Sequence, residues 1–159
     1  MGFAPSLMNL SSNTFVPSGA IPKRATMEGE NLSPHLKWTS VPEGTKSFAL
    51  FCHDPDAPLA MPGCYGFVHW VLYNLPASII ELAEGAAATQ GTQGLNDFGE
   101  AGYGGPMPPP GHGTHHYFFV LMALDKALDL KPNLTLWQLM SSVESHVIGM
   151  NRLMGTYQR

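Results

Sequence analysis

The hydrophobic residues of this chain fall into short runs, and three of these runs are apolar on both faces of an extended backbone. They are Ser47–His53, Phe67–Leu75 and His116–Leu124, each rich in aromatic and aliphatic residues. A strand with one face in water alternates between apolar and polar residues, whereas a strand covered on both faces does not. The pattern therefore predicts three central strands that are buried on both sides.

Weaker strand patterns occur at Ser6–Asn9, at Leu36–Thr39 and near the C-terminus at Leu153–Gln158. The chain contains 17 Gly and 14 Pro, which separate the apolar runs as turn residues do. Because neither an internal repeat nor a linker is evident, residues 1–159 are predicted to form one domain. The predicted fold class is mainly β, an antiparallel β-sandwich with one or two peripheral helices.

One helix is predicted after the last central strand. Thr135 and Gln138 match a capping box, in which each side chain accepts a hydrogen bond from the backbone N–H of the other residue. Four apolar residues follow the cap at helical spacing: Leu136, Met140, Val143 and Val147. A second helical turn is expected around Ser78–Glu84.

Composition narrows the class of protein. Apolar residues make up 44 % of the chain and charged residues 13 %, which is enough apolar material to fold. The formal net charge is −4 and no run of Lys or Arg occurs, which argues against a nucleic-acid groove or a polybasic membrane patch. No apolar stretch is long enough to span a bilayer, and the first residues do not match a signal peptide. We expect a cytoplasmic protein.

The sequence offers little for nucleophilic catalysis. Neither Cys52 nor Cys64 has a basic neighbour that would favour a thiolate, and no Gly-x-Ser-x-Gly elbow occurs. The spacing of the two cysteines matches no metal site, and both are predicted to be small apolar fillers. The expectation is a protein that catalyses no reaction and needs no cofactor.

The first cluster of candidate site residues follows the run at Ser47–His53. Asp54 and Asp56 lie beside Pro55 and Pro58, which restrict the backbone and end the strand. Two interpretations stay open. The aspartates form an Asx-turn that caps local N–H groups, or they are a pair of carboxylates that line a pocket.

The second candidate is His69, a histidine within an otherwise apolar run. The two-residue period of a strand places its side chain opposite Trp70, on the same face as Val71 and Tyr73. It is interpreted either as a hydrogen-bonded core residue or as part of a site.

The third candidate is the segment Gly102–Tyr117, more than half of which is Gly or Pro. This composition predicts a rigid loop with neither helix nor strand before His115. Glycines have no Cβ, so their N–H groups are expected to turn inward toward an anion. Beyond the loop, His115 and Tyr117 share one face of the next strand, and His116 lies on the other. Backbone N–H groups, imidazoles and a phenol together suit a phosphate.

The same residues allow a metal site as an alternative. His112, His115 and His116, together with His69 and Asp54, contain sets of two histidines and one carboxylate. The spacing matches no dedicated metal motif, so no metal is predicted.

In their order and spacing, these motifs resemble the phosphatidylethanolamine-binding protein family, in its bacterial and archaeal branch of Raf kinase inhibitor-like proteins. The matching pieces are Asp54–Pro58, Val68–Trp70 and Gly111–Tyr117, with support from Asn31–Pro34, Asn96–Gly99 and Leu153–Tyr157. The resemblance implies a Greek-key β-sandwich in which three segments meet at a small anion pocket. The ligand-binding residues that it implies are Asp54, Asp56, His69, Tyr103, Gly104, Gly105, Pro106, Pro108, His115 and Tyr117.

Two departures from the family pattern concern the mouth of this pocket. His116 stands where eukaryotic relatives often carry arginine, which removes a permanent cation. The segment Leu59–Tyr65 is longer than expected and is predicted to alter the entrance.

The predicted function is the binding of a small anion, such as phosphate, a carboxylate or a phosphoethanolamine-like group, without catalysis. A protein inhibitor of a serine protease or kinase, acting through the pocket region, is the first alternative. A metal-dependent hydrolase using His69, His115 and Asp54 is the second. The large apolar faces are compatible with a homodimer. Because Asp54 repels an anion unless a histidine compensates, binding is predicted to strengthen as the pH falls through about 6.5.

Overall fold

The computed structural model describes residues 7–57, 65–86 and 89–159 and arranges them as two antiparallel sheets. In chain order the strands are β1 (Asn9–Ser11), β2 (Leu36–Thr39), β3 (Ser47–Asp54), β4 (Phe67–Pro76), β5 (Glu81–Leu82), β6 (Thr92–Gln93), β7 (His115–Leu124) and β8 (Val147–Tyr157). Short 3-10 helices occur at Lys23–Ala25 and Glu144–His146. The expectations for Pro58, for Cys64 and for residues 59–64 lie outside the described residues.

The larger sheet contains five strands in the order β6-β4-β3-β7-β8, and every neighbouring pair is antiparallel. The three strands predicted from two-faced apolar runs are its three central strands, which confirms that prediction. The C-terminal strand is longer than expected, since β8 pairs with β7 from Val147 to Tyr157. The smaller sheet has the order β1-β2-β5.

The main core lies between the two sheets. The side chains of Leu36 and Trp38 on the smaller sheet pack with those of Phe48, Trp70 and Phe119 on the larger sheet, and all five are fully buried. Burying a large apolar side chain contributes about 1.5–3 kcal/mol, so this layer stabilises the fold and fixes the ends of the central strands.

The opposite face of the larger sheet is covered by helix α1 (Leu136–Val143). The predicted capping box is confirmed: Thr135 Oγ1 accepts from the Gln138 N–H at 3.3 Å, and Gln138 Oε1 accepts from the Thr135 N–H at 3.0 Å. The prediction that the apolar stripe runs on to Val147 is wrong. A 3-10 turn ends the helix, and Val147 begins β8 opposite Leu124.

Two weaker predictions also differ from the structure. Of the strand expected at Ser6–Asn9, Ser6 lies outside the described residues, and only Asn9 belongs to a strand, as the first residue of β1, where the pairing with β2 starts. The helical turn expected at Ser78–Glu84 is instead a turn followed by β5, whose Leu82 is fully buried. Pairing with the edge of β2 gives the backbone N–H and C=O groups of β5 hydrogen-bond partners, whereas a single isolated helical turn is unstable.

The predicted fold class, a mainly β antiparallel sandwich, is confirmed. Among the described residues, no helix is long and apolar enough to cross a membrane.

Candidate functional site

A pocket of about 280 Å3 opens at one end of the larger sheet, where β3 ends and where β4 and β7 begin. Its polar lining comes from Asp54, His69, His115 and Tyr117, and each of these residues is at least 96 % buried. Antiparallel pairing places the end of one strand beside the start of its neighbours, so three segments distant in sequence meet here. The structure therefore brings together, in the polar lining of one pocket, four of the ten residues that the family resemblance implied.

Asp54 is the last residue of β3, and its two carboxylate oxygens have different tasks. Oδ1 accepts from the Asp56 N–H at 2.8 Å, which is the Asx-turn. Oδ2 accepts from Nδ1 of His115 at 2.6 Å inside the pocket. Both interpretations of this cluster therefore apply to Asp54, whereas the expected pair of carboxylates in the pocket does not form.

A β-bulge in β4 determines where His69 points. In the register between β3 and β4, Trp70 lies opposite Cys52 and Val68 lies opposite His53, which leaves His69 as an extra residue. A bulge of this kind turns the side chain of the extra residue out of simple alternation.

The prediction that His69 faces away from Trp70 is therefore wrong. Trp70 belongs to the core between the sheets, and the His69 ring lies edge-on to Tyr117 of the same core, with ring centroids 5.1 Å apart. Val71 and Tyr73 pack on the opposite side, under α1. The bulge is what brings the imidazole into the pocket.

The hydrogen bonds of His69 define its tautomer. Nδ1 lies 2.6 Å from the carbonyl oxygen of Gly104, and because a carbonyl only accepts, Nδ1 carries a proton. Nε2 lies 4.0 Å from Oδ2 of Asp54, which is beyond hydrogen-bonding distance. Burial lowers the pKa of His69, although the Gly104 carbonyl and Asp54 act in the opposite direction. At neutral pH the ring is therefore uncharged, and its Nε2 atom is an acceptor.

His115 connects the pocket to the surface. Its Nδ1 atom donates to Asp54, and its Nε2 atom lies 2.7 Å from Nδ1 of His112, so a hydrogen-bonded chain runs from exposed His112 to the buried carboxylate. Sequence reasoning did not include His112 among the ligand-binding residues. Its only signal was the three-residue spacing to His115, which entered the metal alternative.

The hydroxyl of Tyr117 is buried and has no hydrogen-bond partner among the described residues. Burial, followed by the charge of Asp54, raises the pKa of Tyr117, so the group stays an O–H donor. A buried hydroxyl without a partner is unfavourable, typically by about 1–3 kcal/mol, unless a ligand or water meets it.

The glycine-rich loop has a different task from the expected one. The Gly104 N–H donates to the carbonyl of His69 at 2.9 Å, and the Gly105 N–H donates to Oδ1 of Asn31 at 2.8 Å. The N–H groups of these glycines are therefore occupied, and the expectation that they turn toward an anion is wrong. Buried backbone donors must be paired, and in this loop the partners lie within the protein. What the loop presents to the site is the Gly104 carbonyl, which orients His69.

Other predicted site residues lie at different distances from the pocket. Pro108 lines it, whereas Tyr103 lines a separate cavity and donates from its hydroxyl to the carbonyl of Ala25 at 2.6 Å. The carbonyl of Pro106 accepts from the Met27 N–H at 3.1 Å. Like Gly105, these two residues anchor the loop and are not part of the pocket lining.

Asp56 also lies outside the lining and holds the turn after β3 against β7. Its Oδ2 atom accepts from the backbone N–H of His116 at 2.8 Å and from Nδ1 of the same residue at 2.7 Å. Burial alone would raise the pKa of Asp56, but the hydrogen bonds from His116 are stronger in sum and lower it.

The rest of the pocket wall is apolar and consists of Ala57, Phe67, Phe98, Met107 and Pro109. The family resemblance implies that the stretch Gly104–Pro109, which includes Met107 and Pro109, forms the rim, whereas Ala57, Phe67 and Phe98 were not assigned to the site. The rings of Phe67 and Phe98 lie 4.6 Å apart, and Phe98 also approaches His69 at 5.7 Å. Phe98 lies in a loop without periodicity, so only the Asn96–Gly99 family motif carried a signal for it.

The site donors were also tested as metal ligands. In the described part of the chain, no group of three or more His, Cys, Asp or Glu residues is arranged to hold a metal ion. Asp54 Oδ2 and His115 Nδ1 are hydrogen-bonded to each other at 2.6 Å. The geometry therefore gives no support to the metal-dependent alternative.

Comparison with known proteins agrees with this picture. A sequence profile of the phosphatidylethanolamine-binding protein family matches residues 11–158. The UPF0098 protein of Methanothermobacter thermautotrophicus is 43 % identical over 157 residues, which is 96 % of this chain and 99 % of that protein.

Two solved structures are similar over almost their whole length. A phosphatidylethanolamine-binding protein homologue from Chlamydia trachomatis has a TM-score of 0.88 at 38 % identity, covering 96 % of this chain and 97 % of its own. Escherichia coli YbcL, described as a new member of the mammalian family, has a TM-score of 0.87 at 32 % identity, covering 97 % and 99 %.

Proposed function

The chain belongs to the phosphatidylethanolamine-binding protein family, and we propose that it binds a small phosphate-bearing anion in the pocket without converting it chemically. The observation that supports this most is that two residues of the pocket lining offer one hydrogen-bond acceptor and one hydrogen-bond donor. His69 Nε2 is an acceptor in the neutral ring, and the Tyr117 hydroxyl is a donor that has no partner in the described part of the chain.

A singly protonated phosphate group complements both atoms. Its P–OH group donates to Nε2 of His69, and one of its other oxygens accepts from the hydroxyl of Tyr117. Such a ligand fits a site with a carboxylate better than a fully ionised phosphate does, because it brings less charge close to Asp54. Asp54 is in turn bonded to the Nδ1–H of His115, which reduces its repulsion of an anion.

The pocket is larger than inorganic phosphate requires, and its walls are mostly apolar. Phe67 and Phe98 offer a surface for an organic substituent on the phosphate. A group of the size of O-phosphoethanolamine therefore suits the cavity, with its ammonium group close enough for attraction to Asp54.

The chemistry of the site supports binding over catalysis. Both nitrogens of His115 are engaged in hydrogen bonds, so this histidine is not poised as a general base. Burial raises the pKa of the Cys52 thiol well above its ordinary value, which leaves it a poor nucleophile. We expect that phosphate monoesters leave the pocket unchanged.

Isothermal titration calorimetry with inorganic phosphate and with O-phosphoethanolamine tests the binding. His69→Asn keeps a side-chain N–H near the Gly104 carbonyl but removes the acceptor at the Nε2 position, and it should weaken binding at least about tenfold. Asp56→Asn, outside the lining, is the matched control and should bind within about twofold of the wild type. The absence of saturable binding to the wild type, or wild-type affinity in His69→Asn, would contradict the proposal.

Phosphorus-31 NMR of the same mixtures tests the absence of turnover. The O-phosphoethanolamine signal should persist over hours without growth of an inorganic phosphate signal, and release of phosphate above a protein-free blank would overturn this part. Inhibition of a protease or kinase, a homodimer and a cytoplasmic location stay predictions.

A further inference from the structure

A second pocket, of about 290 Å3, lies on the other side of the wall that bounds the anion pocket. We call it the tryptophan pocket, and its described lining includes His53, Tyr65, Val68, Asp97, Leu136 and Trp137. The alternation of side chains along each segment separates the two cavities. Asp54 lines the anion pocket, and the preceding residue, His53, lines the tryptophan pocket. Likewise, Phe98 lines the anion pocket, and the preceding residue, Asp97, lines the tryptophan pocket.

Two exposed aromatic residues stand at this pocket. Trp137 is 67 % exposed and Tyr65 is 74 % exposed, whereas Trp38 and Trp70 are completely buried in the core. The capping box at Thr135 fixes the first turn of α1, on which Trp137 is the second residue. Large aromatic side chains held at the mouth of a cavity, and not buried by their own protein, are a common feature of binding sites.

The charge of the tryptophan pocket is negative. Asp97 is held in place twice by Val68: its N–H donates to the Val68 carbonyl at 2.9 Å, and its Oδ2 atom accepts from the Val68 N–H at 2.8 Å. Asp97 is one of the residues that line the cavity, and no Lys or Arg of the described residues does. Nε2 of His53 lies 2.8 Å from the carbonyl oxygen of Tyr65, a bond in which the ring donates.

We propose that the tryptophan pocket binds a small organic cation, such as a quaternary or primary alkylammonium group. The faces of an indole and a phenol attract a cation through their ring quadrupoles, and a nearby carboxylate adds a charge of the opposite sign. The same chemistry discriminates against anions, so the two pockets select ligands of opposite charge. The inference is independent of the proposed function, because the two cavities share no lining residue among those described.

Titration of the wild-type protein with choline, followed by tryptophan fluorescence, tests the proposal. Because the other two tryptophans are completely buried, Trp137 is the one whose emission an external ligand should change. The matched probe is 3,3-dimethyl-1-butanol, which has the shape of choline without its charge. Choline should bind saturably in the millimolar range, and the neutral alcohol should bind at least about fivefold more weakly.

Two variants locate the site by calorimetry, which does not depend on fluorescence. Trp137→Ala should weaken choline binding at least about fivefold, and Asp97→Asn, which keeps an oxygen for the Val68 N–H, should weaken it about threefold or more. Ile148→Ala, another exposed apolar residue but on β8, is the control and should bind choline as the wild type does.

All three variants should bind inorganic phosphate with wild-type affinity, which separates this proposal from the first. Equal binding of choline and the neutral alcohol, no binding of choline at all, or unchanged affinity in Trp137→Ala would each overturn it.

Discussion

Two aspartate–histidine pairs lie side by side, with the aspartates two residues apart and the histidines adjacent in sequence, and they differ most in burial. Asp54 and His115 are joined at 2.6 Å with side chains 3 % and 2 % exposed. Asp56 and His116 are joined at 2.7 Å with side chains 40 % and 42 % exposed. The same chemical pair is thus placed once in the core of the site and once at its edge.

The difference shows what burial adds to one kind of contact. In the buried pair neither group can exchange its partner for water, so the contact fixes the tautomer of His115 and the position of the carboxylate. In the exposed pair, water competes for both groups and the contact mainly holds a turn. The first pair therefore serves the anion pocket, and the second serves the loop beside it.

Removing Asp54 should have the largest effect. Asp54→Ala leaves the Nδ1–H of His115 buried without its acceptor, and the free energy of unfolding should fall by about 3 kcal/mol or more. Urea denaturation followed by circular dichroism measures this loss. A loss no greater than that of the corresponding change at Asp56 would contradict the contrast between the pairs.

A pH titration of stability should show the next largest effect. The pKa of His69 is lowered in the folded protein, mainly by burial, so below about pH 6.5 the unfolded chain binds more protons than the folded one. The contribution of the neutral ring to the free energy of unfolding is therefore complete above about pH 6.5. It is lost as the pH falls through the lower pKa that His69 has in the folded protein. The urea midpoint of the wild type should exceed that of His69→Asn at pH 8, and the difference between the two midpoints should shrink as the pH is lowered to 5. Parallel curves would show that His69 is not the group responsible.

Removing Asp56 should have a smaller effect. Asp56→Ala loses two hydrogen bonds from His116, but in a partly exposed position, and the free energy of unfolding should fall by about 1 kcal/mol or less. The affinity for O-phosphoethanolamine should stay within about twofold of the wild type, as measured by calorimetry. A loss of binding as large as in His69→Asn would place Asp56 in the site itself.

The smallest effect on stability is expected at the hydroxyl of Tyr117. Tyr117→Phe removes a buried group that has no partner among the described residues, so the free energy of unfolding should either rise or stay within about 0.5 kcal/mol of the wild type. Binding of O-phosphoethanolamine should nevertheless weaken about fivefold, because the ligand loses a donor. Unchanged affinity would remove Tyr117 from the proposed binding mode.

These features were not equally visible in the sequence. The central strands and the positions of His115 and Tyr117 follow from alternation, which the backbone of a regular strand imposes. The orientation of His69 does not, because a bulge depends on the register with the neighbouring strand.

Contacts between distant segments were also out of reach of local patterns. Nothing near the glycine-rich loop indicates that the Gly105 N–H is taken by Asn31, more than seventy residues earlier. In the same way, Phe98 joins the pocket from a loop that has no periodicity. The sequence therefore predicted which strands meet at the site more reliably than which atoms remain available in it.

The central claim is that Nε2 of His69 is the acceptor that meets a phosphate ligand. The imidazole nitrogen-15 shifts of His69, measured by NMR at pH 7 with and without O-phosphoethanolamine, test it most directly. The free protein should show a neutral ring with its proton on Nδ1, and the ligand should move the Nε2 signal while leaving the Nδ1–H bond to Gly104 in place. If O-phosphoethanolamine binds and the His69 signals do not change, the claim is wrong.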